Sequence, residues 1–171
     1  MKPQTLSASF LDGPTEITSN MKKDEPKIYI SFAIVIVFFV LLFFIPQKHN
    51  LEDIKGIKIA GQNIKVELAL SREELMQGLS GRLSLNADEG MLFIFPQPGN
   101  YTFWMKDMNF PIDMIWLSQN KKVIYIKKDA RPEFFPESYG PEANSKYILE
   151  VVSGFSERYN LQVGDRVEFQ Y

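Results

Sequence analysis

The sequence predicts a mainly-β domain, sandwich-like or a flattened barrel of about eight short strands with one or two short helices, preceded by one transmembrane helix. Apolar and polar residues alternate through much of 54–171, which is the period of half-buried strands. Glycine, proline and asparagine divide this alternation into short segments, as turns do. An uninterrupted apolar run comes before the domain and is typical of a membrane span.

The apolar run extends from Ile28 to Ile45, and Ser31 is its one polar residue. As a helix it measures ~27 Å at ~1.5 Å per residue, close to the ~30 Å hydrocarbon core of a bilayer. A cleaved signal peptide usually has ~7–15 apolar residues and a small-residue cleavage site. This run instead ends on bulky residues before Pro46. The sequence therefore predicts an uncleaved signal anchor that contacts the lipid bilayer from Ile28 to Ile45.

Four segments follow from this placement. Residues 1–27 are polar and are expected to form a disordered tail. The anchor occupies 28–45, a short tether occupies 46–53, and the mainly-β domain occupies 54–171. Because Lys22, Lys23 and Lys27 lie close to the N-terminal end of the anchor, the N-terminus is expected in the cytoplasm and the domain outside it.

Composition excludes several kinds of chemistry. The chain has no cysteine, so disulfides, thiol catalysis and cysteine-zinc sites are ruled out. Its single histidine, His49, falls in the tether, where no catalytic triad is expected. With 19 basic and 21 acidic residues the net charge is −2, which does not favour nucleic-acid binding. We expect no cofactor, no metal and no catalytic residue set.

The elements of the domain are predicted from turn and capping signals. Ser71 and Glu74 form a capping-box pattern before a short apolar helix, and Gly78 ends it. Prolines mark 128–145 as a long loop. A hairpin pairs 57–59 with 64–70 across a turn at 61–63, followed by a helix over 71–79, strands over 91–95, 101–105, 112–117, 123–126 and 147–152, a helical turn over 153–159, and a strand over 167–171.

Several motifs recur in one known family. They are Gly90-Met91-Leu92-Phe93, Phe103-Trp104-Met105-Lys106, Pro111-Ile112-Asp113, Leu149-Glu150 and Gly164-Asp165. In this order, over about 56–171, the chain resembles the bacterial and archaeal family called domain of unknown function 192. Asp107 and Ser80 depart from residues frequent in that family. The resemblance implies a mainly-β, sandwich-like domain that is often exported or membrane-tethered, and it brings no established activity.

The aromatic and methionine-rich block over 90–117 allows two interpretations. Such side chains usually fill a core, but they also line adaptable ligand pockets. Asp113 and Glu150 lie in apolar strands, where a bare carboxylate costs several kcal/mol and needs a partner. Arg82, Lys106 and the Trp104 ring N–H are the candidate partners of Asp113. The result would be either a structural ion-pair network or a polar cluster at the floor of a cleft.

The sequence indicates the biochemical function of the protein less clearly than its location at a membrane. We predict a ligand- or partner-binding accessory module, not an enzyme, whose ligand or protein partner in the envelope is unknown. The candidate cleft and polar cluster comprise Arg82, Trp104, Lys106, Asp113, Tyr139 and Glu150. The alternative is a carboxylate-based hydrolase acting on an envelope polymer, with its acid and base among Asp107, Asp113 and Glu150. A purely structural role in a membrane assembly is the third possibility.

Overall fold

A computed structural model of the chain describes residues 26–43 and 50–171, with side chains described from 32 to 42 in the first range. The chain divides into two compact units, residues 1–47 and 48–171. In the first unit, α1 (Pro26–Phe43) is helical, and its residues 32–42 are apolar and exposed. Residues 1–25 of the predicted tail, positions 44 and 45 of the predicted anchor, and residues 46–49 of the tether, His49 among them, lie outside the described residues.

No helix within these ranges is both long and apolar enough to cross a membrane. The described residues therefore do not support the transmembrane helix predicted over 28–45.

The second unit is mainly β, as predicted. Its strands and short helices are β1 (Gly56–Ile59), β2 (Gln62–Ala69), α2 (Arg72–Gln77), β3 (Glu89–Gly99), β4 (Phe103–Trp104), β5 (Ile112–Leu117), β6 (Val123–Ala130), β7 (Ser138–Tyr139), β8 (Ser145–Val152), α3 (Phe155–Arg158) and β9 (Glu168–Gln170). Two 3₁₀ turns, Leu51–Asp53 and Pro132–Phe134, complete the described elements.

Seven strands form one mixed sheet in the order β6-β5-β8-β3-β2-β1-β9, and β4 pairs with β7 in a separate ribbon. All pairs are antiparallel except β2 with β3. A parallel pair needs a crossover, and α2 lies in the connection between these two strands. The sheet curls so that its two edge strands, β6 and β9, come close together. One bridge joins Lys122, just before β6, to Arg166, just before β9, and the sheet does not close into a barrel.

The prediction of a sandwich or flattened barrel is thus corrected to a curled open sheet with a ribbon. The first turn is shorter than predicted: Ala60 and Gly61 alone reverse the chain, both with positive φ, as tight hairpins require. The strand predicted over 101–105 is only β4. The loop predicted over 128–145 contains the end of β6 and all of β7, because a two-residue strand leaves no clear alternation.

The two faces of the sheet carry separate apolar clusters. We call the face inside the curl the inner face; its buried side chains come from all seven strands and include Leu92, Ile115 and Leu149. The outer face is covered over its middle strands, where Phe93, Met114 and Trp116 pack under the β4–β7 ribbon. Phe103 of β4 contacts Phe93 edge-on at 4.8 Å between ring centroids. The ribbon and α2 thus stand over the outer face.

Candidate functional site

A pocket of about 700 Å³ opens on the outer face. One wall is α2 with the turn that follows it, and the other is β4 with the loop after it. Phe93 and Glu150, both from the sheet, lie at its floor. The wall residues on which the later argument depends are Met76, Ser80, Phe103, Trp104, Lys106 and Asp107.

Glu150 is the buried acid at this floor, with 4% of its surface exposed. On the central strand β8 it lies opposite Met91 of β3 and Met114 of β5. Cross-strand neighbours have Cβ atoms ~4.5–5.5 Å apart, so thioether side chains flank the carboxyl group on both sides. Its Oε2 atom is buried and has no hydrogen-bond partner among the described residues. A polar atom in this state costs free energy unless a ligand or water satisfies it.

Burial raises the pKa of the Glu150 carboxyl to about 8, and the charge of Arg82 opposes this effect only in part. Desolvation disfavours the ionised form of an acid, which is why the shift is upward. Near neutral pH the carboxyl group is therefore mainly protonated, and it can donate one hydrogen bond into the pocket.

Arg82 does not reach Glu150, because another acid holds it. Its Nη1 donates to Oε1 of Glu67 at 2.8 Å, and its Nη2 donates to Oε2 of the same carboxylate. This bidentate bond is the largest cause that lowers the pKa of Glu67. Glu67 lies on β2, two strands from Glu150, which is about 10 Å across a sheet. Arg82 therefore acts on Glu150 through its charge alone, and no hydrogen bond or ion pair joins the two among the described residues.

Hydrogen bonds join the two walls at one end of the pocket. The Ser80 hydroxyl donates to the Lys106 carbonyl at 2.9 Å, and the Gly81 N–H donates to the Asp107 carbonyl at 2.8 Å. Asp107 has a φ of 55°, which turns the chain there. Trp104 stays 53% exposed and contacts Phe135 at 5.7 Å between ring centroids. Hydrogen bonds thus hold the two walls together at one end of the pocket, and the half-exposed indole of Trp104 lies in the β4 wall.

The prediction that Asp113 pairs with Arg82 or Lys106 is wrong. Asp113 is fully buried on the inner face, because it precedes the outer-face residue Met114 and successive strand residues point to opposite faces. Its carboxylate accepts three backbone N–H groups, from Asp129, Gly154 and Ser156, at 2.9, 3.3 and 2.8 Å. It forms none of the ion pairs in the described part of the chain. Asp113 is thus a structural carboxylate that fixes the start of α3.

Tyr139 also lies away from the pocket. It is 5% exposed on β7, and its hydroxyl donates to Glu137 at 3.0 Å. Burial, with this bond, raises the pKa of the Tyr139 phenol to about 12. Lys127 lies over the Tyr139 ring, with its Nζ 4.2 Å from the ring centroid. Tyr139 therefore packs within the ribbon and does not line the pocket, so its prediction as a residue of the candidate cleft is wrong.

The structure thus brings together three of the six candidate residues, Trp104, Lys106 and Glu150, and places Arg82 nearby. The sequence prediction missed the contribution of α2, including Met76. The signal was present: an eight-residue strand, a capped helix and a second apolar strand form the pattern of a parallel crossover, which lays its helix on the sheet.

The chain belongs to the family of domain of unknown function 192, described as an uncharacterized ACR, whose model matches residues 55–169. Two of the named motifs contribute directly to the pocket: Phe103-Trp104-Met105-Lys106 gives Phe103, Trp104 and Lys106 to its wall, and Leu149-Glu150 gives Glu150 to its floor.

Individual relatives agree with this assignment. A UPF0127 protein of Thermococcus sibiricus is 31% identical over 90 residues, which are 52% of this chain and 56% of the relative. The chain thus spans little more than half the length of that curated relative. Two crystal structures have 28% sequence identity. A candidate transcription regulator of Sinorhizobium meliloti has a TM-score of 0.62 over 67% of this chain and 90% of its own. A protein of unknown function from Novosphingobium aromaticivorans has a TM-score of 0.64 over 70% and 89%.

Replacing the inner-face carboxylate should destabilise the fold. In Asp113→Asn one oxygen acceptor becomes an NH₂ donor facing backbone N–H groups, so we expect a loss of about 2–3 kcal/mol in the free energy of unfolding. Urea denaturation followed by circular dichroism measures this change. The matched control is Asp53→Asn, at an exposed aspartate, for which we expect less than about 0.5 kcal/mol. Equal stabilities of the two variants would contradict the assigned role of Asp113.

The buried acid of the pocket should make stability fall as pH rises. The folded pKa of Glu150 is about 8 against 4.5 for the free side chain, so between these values the folded state binds more protons than the unfolded state. The free energy of unfolding therefore falls as pH rises between these two pKa values, and it levels off above about pH 8. Relative to Glu150→Gln, the free energy of unfolding of wild type should fall by a few kcal/mol between about pH 5 and about pH 8.5.

Denaturation at a series of pH values measures the difference between wild type and Glu150→Gln. Glu73→Gln, at an exposed acid of the same pocket, is the control and should follow wild type within about 0.5 kcal/mol. A wild-type curve parallel to that of Glu150→Gln over the whole range would show that Glu150 is ionised normally.

Proposed function

We propose that the domain is a ligand-binding accessory module whose site is the outer-face pocket. The observation that carries this proposal is the buried, unpartnered Oε2 of Glu150 at the floor of an open pocket. A domain core normally satisfies such an atom, as it satisfies the carboxylate of Asp113. The unsatisfied atom is therefore best explained by a ligand that supplies its missing partner.

The pocket walls indicate an amphipathic ligand. Met76, Met108 and Phe103 offer an apolar surface, and methionine side chains adapt their shape to what they contact. Trp104 adds an indole that is half exposed and can stack on a ring or a chain. Polar side chains line the rest of the pocket, so one ligand can meet both apolar and polar surface; they are Glu73, Gln77, Ser80, Thr102, Lys106, Asp107 and Glu150.

Ligand binding should be visible in the fluorescence of Trp104. The other tryptophan, Trp116, is fully buried and its ring N–H donates to Tyr101, so its emission should stay constant and serves as an internal reference. We expect a saturable change when wild-type protein is titrated with soluble envelope saccharides, peptides or lipid headgroup compounds. The same titration of Trp104→Phe should show no change. A flat response of wild type to all three classes would contradict the proposal.

We further propose that the apolar run of the sequence over 28–45, which overlaps α1, anchors the domain at a membrane, with the N-terminus in the cytoplasm and the domain outside it. Support comes from the apolar run of the sequence and from residues 32–42, all of which are apolar and exposed in α1. Exposed apolar side chains on every side of a helix need an apolar surrounding. In this arrangement the pocket would face ligands of the envelope.

Charged residues within α1 should release the chain from membranes. A lysine at a helix centre in a membrane costs about 2.5–3.5 kcal/mol, so the double change Ile36→Lys with Val40→Lys should reduce the fraction of the full-length chain that sediments with membranes after alkaline washing. The control places the same two charges on exposed apolar residues of the domain, Leu83→Lys with Val163→Lys. Equal sedimentation of both variants would contradict anchoring through α1.

A carboxylate-based hydrolase is the second candidate function. Asp113 cannot take part, because it lies on the inner face while Glu150 lies on the outer face. Asp107 and Glu150 do line one pocket, and a protonated Glu150 is suited to act as a general acid. The test is release of reducing ends from a soluble envelope polysaccharide, which should be abolished in both Asp107→Asn and Glu150→Gln. Absence of turnover by wild type would remove this candidate.

A further inference from the structure

We infer that the pocket takes an organic cation, an ammonium group on an apolar body, with the ammonium against Glu150 and the body against the rings of Phe103 and Trp104. This inference rests on the proposed function, because it concerns the same pocket and names the class of its ligand. Four observations on the described residues lead to it.

The first observation is the unsatisfied atom itself. Oε2 of Glu150 is buried and has no hydrogen-bond partner among the described residues, and Glu150 is a lining residue at the pocket floor. A buried carboxylate is stable when it is paired with a cation. An ammonium group that enters the pocket supplies both the charge and, where it carries N–H groups, the hydrogen bond.

The second observation is that the protein's own nearby arginine is committed elsewhere. Arg82 makes its bidentate bond to Glu67, and no hydrogen bond or ion pair joins it to Glu150 among the described residues. Its charge lowers the pKa of Glu150 only in part against the effect of burial. The position next to Glu150 is therefore free for a cation from outside the chain.

The third observation is the charge of the walls. The acids that line the pocket are Glu73, Asp107 and Glu150, and the single lining cation is Lys106. With Glu150 ionised the lining has a net charge of −2, and with it protonated −1, both from these four side chains. An anionic ligand would meet repulsion in either state, whereas a cation is attracted in both.

The fourth observation is the aromatic wall. Cations bind over the faces of tryptophan and phenylalanine rings, and they bind more strongly over tryptophan. Trp104 keeps 53% of its surface exposed although it belongs to the wall of a pocket, so part of its ring is available. Met76 and Met108 complete an apolar lining that fits the carbon body of such a ligand.

Cation binding must be linked to the proton on Glu150. At neutral pH the incoming ammonium displaces that proton, so its affinity should rise with pH until the acid is ionised in the free protein. A neutral ligand that accepts a hydrogen bond from protonated Glu150 shows the opposite trend. The charged groups around Glu150 on each surrounding element are Glu67 of β2, Glu73 of α2, Arg82, Lys106 and Asp107 of the loops, and Lys127 of β6 in the same cross-strand row.

The experiment uses the full-length protein and three probes that share a phenyl ring and differ in charge. They are benzyltrimethylammonium, whose charge does not depend on pH, benzyl alcohol and phenylacetate. Calorimetric titration should show benzyltrimethylammonium binding at least about tenfold more tightly than benzyl alcohol above pH 8, and no binding of phenylacetate. Its affinity should rise by up to about tenfold per pH unit below pH 8 and then level off.

Variants separate charge from shape. Glu150→Gln should weaken binding of benzyltrimethylammonium at least about tenfold above pH 8 and remove the pH dependence. Lys106→Gln should strengthen binding a few-fold, because a like charge is removed. Glu142→Gln, an exposed acid outside the pocket, should bind as wild type does. The pH profile of wild type needs no variant, so the inference stays testable if Glu150→Gln fails to fold.

Two results would overturn the inference. If benzyl alcohol binds as tightly as the cation, and more weakly above pH 8, the ligand is a neutral hydrogen-bond acceptor and the proposed binding function still stands. If none of the three probes binds, the organic cation is excluded. The binding function itself is excluded only when the wider Trp104 fluorescence titrations are also flat.

Discussion

The pairing of β8 with both β3 and β5 is the constraint on which the rest of the structure depends. These hydrogen bonds make Ser145–Val152 an interior strand, the third of the seven, and their register puts Glu150 between Met91 and Met114. A residue so far from either edge strand is shielded on both sides by neighbouring strands. The parallel pair β2–β3 then requires a crossover, which lays α2 over the same face and forms a wall of the pocket above Glu150.

Two buried acids in this sheet show how different surroundings give different roles. Asp113 receives three backbone N–H bonds, so its negative charge is stabilised by the loops it fastens. Glu150 receives no such bond at Oε2, and burial raises its pKa to about 8. The arginine that could have paired with it is held by Glu67. The fold therefore stabilises one acid fully and leaves the other open to the pocket.

Local signals predicted most of the elements, because they depend on neighbours in the chain. The capping box at Ser71 and Glu74 forms as predicted, and the apolar runs over 112–117 and 147–152 are the strands that contain Asp113 and Glu150, as predicted. The local sequence pattern does not show which residues of a strand face the ribbon and α2, because that depends on pairing between strands that are far apart in the chain. For this reason the sequence predicts one cluster for Asp113 and Glu150, although they point to opposite faces of the sheet.

The candidate site was predicted only in part for the same reason. Trp104, Lys106 and Glu150 come from motifs that the sequence displays, and they do line one pocket. Met76 and Ser80 enter it because α2 crosses over the outer face, and the contact of Arg82 with Glu67 joins residues 15 positions apart. The crossover is indicated only by the order of strand, helix and strand, and the contact of Arg82 with Glu67 leaves no pattern in the sequence.

The protonation state of Glu150 tests the account most directly. Carbon-detected NMR of the side-chain carboxyl groups, with Glu150→Gln to assign the signal, follows this one group from acidic to alkaline pH. The structure predicts a protonated carboxyl at neutral pH that titrates at about 8. A signal already ionised near pH 5, with a midpoint close to the ordinary glutamate value of about 4.3, would contradict a desolvated, unpartnered acid at the pocket floor.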